Sequence, residues 1–550
     1  MTEYERSAQM FPKLSSKQLD RIRPYGHVRH VDEQELLFDI GDRELSFFIV
    51  LSGELEIFRP ERDGEEVVTV HQPGEFTGEV NMLSGRSNLV KGRMKTAGEV
   101  LEIDRPSFRE LLAAEAELSE IFMRAFIVRR VGLITHEQGD VIVVGSEYSA
   151  DTLRLKQFLS RNGHPYQYID AETDKGAAAL LERFHVQPDD VPVVYFTAKD
   201  QMIKNPTNRQ IADCLGFSGT IDQDEIYDVA VVGAGPGGLA AAVYAASEGL
   251  HVVVLEGNVF GGQAGSSSKI ENYLGFPTGI SGQALAGRAY NQAQKFGAEI
   301  LMPRVAKRLH CEKRPYTLEL EDGDSLRART VVIATGAKYR KPPGIERFEG
   351  LGVYYGATHV EAMMCANEEV IVVGGGNSAG QAAVFLAERA SHVHVVIRGD
   401  SLAKSMSRYL TQRIETSSSI TLHRYSEISE FHGQERLESV TWTDNRTGRT
   451  TERPIHHVFM MIGAVPNTGW LEGCLALDDK GFILAGPELV THEAGEAGWP
   501  LLTRQPFPLE TSRPGVFAAG DVRAQSVKRV ASAVGEGSVC VGYLHRVVNE

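Results

Sequence analysis

Cysteine is scarce: the 550 residues hold five, at 214, 311, 365, 474 and 540, and no two of them are separated by two residues. A Cys-x-x-Cys redox pair is therefore excluded, and in a reducing compartment the expectation is five free thiols. Long apolar runs are missing too. None reaches the roughly eighteen residues of a membrane span, and Met1–Arg6 is acidic, without the apolar core of a secretory leader. A cytoplasmic protein with no membrane partner is expected. Positive charge is in deficit, 57 Lys and Arg against 73 Asp and Glu, for a net charge of -16. That balance sets aside nucleic acid and anionic membrane surfaces as main partners.

What is present is 42% hydrophobic and 24% charged, the composition of a globular chain long enough for about three or four domains. The stretch from Tyr227 to Glu256 organises the rest. A β-branched run, Val229 to Val232, reads as a buried parallel strand, and Gly233, Gly235, Pro236 and Gly238 open an Ala-rich helix. Gly233 permits the tight turn, Gly235 lets the main chain approach a pyrophosphate, and Gly238 lets helix and strand pack closely. The helix start offers free N–H groups to phosphates. Glu256, at the end of the next strand, is placed to accept ribose hydroxyls.

A second nucleotide fold starts at Val370, with Gly374, Gly376, Asn377, Ser378 and Ala379 in the phosphate loop. Its following strand, Val393 to Ile397, ends in Arg398 rather than an acid. A guanidinium there favours a 2′-phosphate over a 2′-hydroxyl, so NADPH is expected over NADH, with Lys404 and Arg408 adding charge. Between and after these units lie Gly262 and Gln263, Asn272, Thr335 and Gly336 at a strand end, and Gly520 and Asp521 ahead of Lys528, Arg529 and Val530. An acid at a strand end followed by a helix N-terminus suits a flavin, FAD, whose reduced ring is electron-rich at one edge.

Residues 225–550 resemble the low-molecular-weight thioredoxin reductase family. The resemblance implies two interleaved Rossmann-like three-layer α/β domains, FAD held by the outer segments and NADPH by the inner one, and a homodimer. In that family a Cys-Ala-Thr-Cys pair precedes the NADPH strand, whereas this chain reads Gly356-Ala357-Thr358-His359. A dithiol relay needs a second thiol. His359 is the titratable candidate near the ring, and Cys365 stands alone on the following helix.

Two further units precede. Residues 11–137 alternate apolar and polar positions between turn signals, as an all-β roll does. The segment resembles a cyclic nucleotide-binding domain, which implies a ribose contact at Gly78 and Glu79 and a phosphate contact at Arg86 and Ser87. The span from Glu79 to Arg86 is shorter than the usual cassette, and Asn88 replaces a small residue. Ser107 to Val131 reads as a helical connector. From Asp140, strands at 141–144, 166–169 and 191–196 and a helix at 152–159 resemble a thioredoxin or glutaredoxin fold, with Pro192 at the family's cis-proline position. The redox pair's place holds Gly145-Ser146-Glu147-Tyr148-Ser149-Ala150. Without a thiol at that position this unit reads as a spacer or docking module.

The expected architecture is multidomain: a cyclic nucleotide-binding-like roll over 1–137, a thioredoxin-like domain over 138–222, an FAD-binding domain over 223–340 and 467–550, and an NADPH-binding domain over 341–466. Three functions remain open. One is an NADPH-dependent flavin reductase acting on a quinone, oxygen or a protein such as ferredoxin. Another is a disulfide reductase working through Cys365. The third is a cyclic-nucleotide or redox sensor without turnover.

Overall fold

The computed structural model describes residues 9–42, 45–61, 64–78, 81–84, 88, 90–135, 141–146, 149–174, 181, 182, 184, 186, 187, 190–491, 499 and 504–550. The first unit is an antiparallel sheet of β1 (His27–Val31), β2 (Leu36–Phe38), β3 (Phe47–Glu61), β4 (Gly64–His71) and β5 (Lys91–Ile103), in the order β1-β5-β3-β4 with β2 on β5. Alternation puts Phe47, Ile49, Leu101 and Ile103 into a core shared with Phe108, Phe122 and Phe126 of the following helices. The expected connector is two helices, Arg105–Ala114 and Ala116–Thr135, the first N-capped by Asp104 and ended at Glu115.

The second unit is a four-stranded mixed sheet, with β6 (Val141–Gly145), β7 (Gln167–Asp170), β8 (Val193–Phe196) and β9 (Gln201–Lys204) in the order β7-β6-β8-β9. β6 and β7 run parallel, and the Val191–Pro192 bond is cis. Its first helix, Ala150–Arg161, is N-capped by Ser149.

In the third unit, β10 (Ile226–Val232), β11 (Val252–Leu255), β12 (Glu299–Leu301), β13 (Ala306–His310), β14 (Tyr316–Leu320) and β15 (Ser325–Ile333) form a sheet ordered β12-β11-β10-β15-β14-β13. The chain then leaves through β16 (Ala337–Tyr339) into an inner domain. There β17 (Val353–Tyr354), β18 (Glu369–Val373), β19 (His392–Val396) and β20 (Ile420–His423) are followed by a meander of β21 (Ser426–His432), β22 (Ser439–Asp444) and β23 (Thr450–Arg453). β24 (His457–Met460) completes a parallel sheet ordered β17-β24-β18-β19-β20. β25 (Ala464–Pro466) pairs back onto β16, and β26 (Val516–Ala518) joins the outer sheet in parallel beside β15. The outer domain is thus discontinuous, with the inner one inserted between β16 and β25.

Interior parallel strands bury both of their faces, so Val229–Val232 of β10 and the whole of β11 are apolar, while Ile226 and Asp228 at the start of β10 stay partly open. Each buried Val or Leu contributes about 1.5–3 kcal/mol. On one face, helices Pro236–Ser247 and Val530–Val548 pack so closely that a Cβ at Gly537 would lie 2.2 Å from the Gly237 carbonyl. The expectation of five free thiols fails at one pair. Cys311, just after β13, and Cys474 are joined as a disulfide with Cα atoms 6.0 Å apart and a sequence separation of 163. Local spacing rules see only near neighbours; here the return of the chain past the inserted domain brings the two together. Among the described residues no helix is long and apolar enough to cross a membrane.

Candidate functional site

Two clefts form where strands end and glycine turns begin. At the first, Gly233 takes φ +103°, and a Cβ on Gly238 would sit 1.8 Å from the Gly233 carbonyl oxygen, so both positions require glycine. A Cβ on Gly235 would meet nothing within 4 Å, leaving open space in front of the loop. Gly336 faces open space too, and Pro236 is the first residue of the helix that leaves its amides toward the cleft. Gly262 abuts Gly235, 3.2 Å from its Cα to a Cβ placed on Gly262, and the Gly261 amide donates to the Ala234 carbonyl at 2.7 Å. Gln263 donates through its side-chain amide to the Ala337 carbonyl, and the Thr335 hydroxyl to the Asn467 carbonyl at 2.9 Å.

The carboxylate of Glu256 accepts from the Ala234 amide at 2.8 Å and the Asn258 amide at 3.0 Å, which fixes it at the strand end with acceptor capacity to spare. Burial pushes its pKa up, against those two amides. Opposite, the Gly520 amide donates to Glu536 at 2.7 Å, and Arg523 bridges Glu536 at 2.8 Å and Glu488 at 3.0 Å. This lattice holds the turn that presents Asp521, whose carboxyl burial pushes up. Lys528 donates to the Asp521 carbonyl at 2.7 Å, Arg529 precedes helix Val530–Val548 in extended backbone without a side-chain cap bond, and Val530 begins it. Glu536 carried no motif in the sequence; its role depends on a helix packing back onto the turn. Asn272 is exposed on the loop that follows Gln263.

The second cleft repeats the design. Gly374 has φ +140°, with a Cβ there 2.3 Å from the Met461 carbonyl oxygen, and Gly376 faces open space. Asn377 begins helix Asn377–Leu386 and accepts from the Ser407 amide at 2.7 Å, while Ser378 is exposed and Ala379 buried. Arg398 lies exposed just beyond β19, and Arg408 is exposed at the start of the helix Arg408–Thr416; Lys404 pairs with Asp400 at 3.1 Å.

Between the clefts, Thr358 caps the short helix His359–Met364 through a reciprocal bond with Glu361. His359 opens that helix; its side chain lies outside the described part. Cys365 is fully buried, and burial pushes its thiol up to about 12, so it is not a thiolate at neutral pH. In the first unit, Gly78 takes φ +94° and its carbonyl accepts from Arg129 at 2.7 Å. Glu79, Arg86 and Ser87 lie outside the described residues.

With that geometry in view, residues 227–537 match the family described as pyridine nucleotide-disulphide oxidoreductase, and residues 28–115 match the cyclic nucleotide-binding domain. Similar proteins include a thioredoxin reductase of Mycoplasmopsis pulmonis, 31% identical over 58% of this chain and 96% of that protein. An NADH dehydrogenase of Bacillus subtilis is 31% identical over 63% of this chain, a match that spans 64% of that protein's length. Among solved structures, Lactococcus lactis thioredoxin reductase in its FR conformation superposes with a TM-score of 0.52 at 28% identity, over 59% of this chain and 99% of that one. Thioredoxin reductase of T. acidophilum gives a TM-score of 0.52 at 27% identity, over 60% and 100%.

Proposed function

Since the chain belongs to the pyridine nucleotide-disulphide oxidoreductase family, in its thioredoxin reductase-like branch, we propose that it is an FAD-dependent NADPH oxidoreductase whose electron acceptor is not thioredoxin. One observation carries the reading. The segment ahead of β18 holds Gly356 and His359 in place of two thiols, and the nearest cysteine, Cys365, is buried and protonated.

The open space at Gly235 and Gly336 and the spare acceptors on Glu256 fit a dinucleotide. Gly233 to Gly238 and the start of helix Pro236–Ser247 would hold its pyrophosphate, Glu256 a ribose, and the N-terminus of helix Val530–Val548 the ring's electron-rich edge. When bound, FAD supplies the hydride-accepting ring. The chain's own residues bind, orient and exclude water. In the second cleft Gly374 and Gly376 would cradle the nicotinamide dinucleotide, with Arg398 recognising a 2′-phosphate. The acceptor that suits this scheme is a quinone, oxygen or a small redox protein such as ferredoxin. Steady-state kinetics on Arg398→Ala test the nucleotide assignment: KM for NADPH should rise about tenfold or more, while KM for NADH stays put. Equal effects on both would reverse the assignment to NADH.

A second reading adds control by a cyclic nucleotide. Its support is that residues 28–115 match the cyclic nucleotide-binding domain family. Calorimetry with cyclic AMP and cyclic GMP tests it, and no heat from either ligand removes it.

A further inference from the structure

The second unit is not a free appendage. Its helix Ala150–Arg161 lies across the outer and inner nucleotide domains. Leu153 is part of the inner domain's core, alongside Tyr354 and Ala357. Gln157 donates to Glu361 at 2.5 Å, and the Ser160 carbonyl accepts from Gln283 of the outer domain at 2.5 Å. At the end of the helix, Arg161 donates through Nη2 to the Gly262 carbonyl at 3.0 Å. Gly262 is the residue packed on Gly235, the middle glycine of the phosphate loop. Arg161 Nε is fully buried and has no hydrogen-bond partner among the described residues. A desolvated guanidinium with an idle donor is costly unless something anionic answers it.

We propose that Arg161 is a flavin-site residue lent by the second unit, its idle Nε and a neighbouring Nη forming a charge-assisted pair with the pyrophosphate of the bound dinucleotide. The inference rests on the reading that the first cleft takes FAD. The carboxylates of Glu256 and Glu361 are Arg161's acidic neighbours, and Tyr339 is the third group that faces it. Burial draws the guanidinium below its usual range, yet arginine stays charged at any working pH. Charge therefore remains on this side of the loop, where a helix N-terminus supplies only partial charges. A planar fork suits two phosphate oxygens better than an ammonium does, so lysine should be an incomplete substitute. The role also explains why a unit without a Cys-x-x-Cys pair stands in contact with both nucleotide domains: it completes a binding site and needs no redox chemistry of its own.

The test uses the full chain stripped of flavin and titrated with FAD, following the quenching of flavin fluorescence. Wild-type protein should bind, Arg161→Ala about tenfold or more weakly, and Arg161→Lys in between. Arg209→Ala, at the junction with the outer domain through its bond to Asp322 at 2.6 Å but away from the loop, should bind as wild type does. Unchanged FAD affinity in a folded Arg161→Ala overturns the inference while leaving the flavin reading intact. No FAD binding by the wild type defeats the flavin reading itself. Should Arg161→Ala fail to fold, amide exchange on the wild type decides: FAD should slow exchange across 150–161, and exchange indifferent to FAD overturns the inference.

Discussion

Single residues separate folding from binding at the first glycine loop. Gly238 has no room for a methyl group, because its Cβ would overlap the Gly233 carbonyl at 1.8 Å. Gly238→Ala should therefore lose about 3 kcal/mol of unfolding free energy in urea, whether or not flavin is present. Gly235 has an ordinary φ of -72° and open space beyond it. Gly235→Ala should unfold at the wild-type urea concentration without ligand, yet fail to retain FAD through gel filtration, since the methyl occupies the dinucleotide's place. Retained flavin in Gly235→Ala would mean that the space serves something else. These glycines were legible because the motif is local: turn, close approach and helix start all fall within six residues of sequence. Arg161 was not legible, since nothing near it in sequence names the loop it reaches. Glu536 escaped for the same reason.

At the scale of elements, unbroken Val runs announced the parallel strands, and Gly-rich breaks announced the turns. The helix after β5 was read as one piece, and the capping geometry at Asp104 and Glu115 divides it. Pairing across strands was out of reach, and the inner sheet shows what that hid. His394 on β19 bonds His423 on β20 at 3.0 Å and Glu369 on β18 at 3.2 Å, beside Trp442. Burial first, then the charge of His394, pulls the His423 imidazole down to about 4. An unfolded histidine titrates near about 6.5, so the unfolded chain takes up this proton first as pH falls. The stabilisation from keeping His423 neutral is complete above that value and is lost progressively toward about 4. Urea midpoints should fall between pH of about 7 and about 5, and less steeply in His423→Gln. Parallel profiles for the two proteins would contradict the assignment.

At the scale of the molecule, an inserted domain hangs between β16 and β25, and the Cys311–Cys474 bond closes a loop of 163 residues that contains it. In the chain-entropy view a crosslink over so long a loop is worth up to about 5 kcal/mol. Non-reducing peptide mapping after thiol alkylation should recover the crosslinked pair, and Cys474→Ser should unfold at lower urea; two alkylated cysteines would refute the clasp. No sequence rule pairs thiols so far apart. The interleaving of the nucleotide domains, by contrast, was implied by the family resemblance of residues 225–550, which rests on two local glycine motifs. The central claim is that a flavin takes hydride from NADPH with no sulfur pair beside it to share the electrons. Anaerobic titration of the FAD-loaded Cys474→Ser protein with NADPH tests this directly, because that variant removes the one remote disulfide. The account predicts complete bleaching of the flavin at one equivalent of NADPH per FAD; a requirement for two equivalents, or a protein that binds no flavin at all, would contradict it.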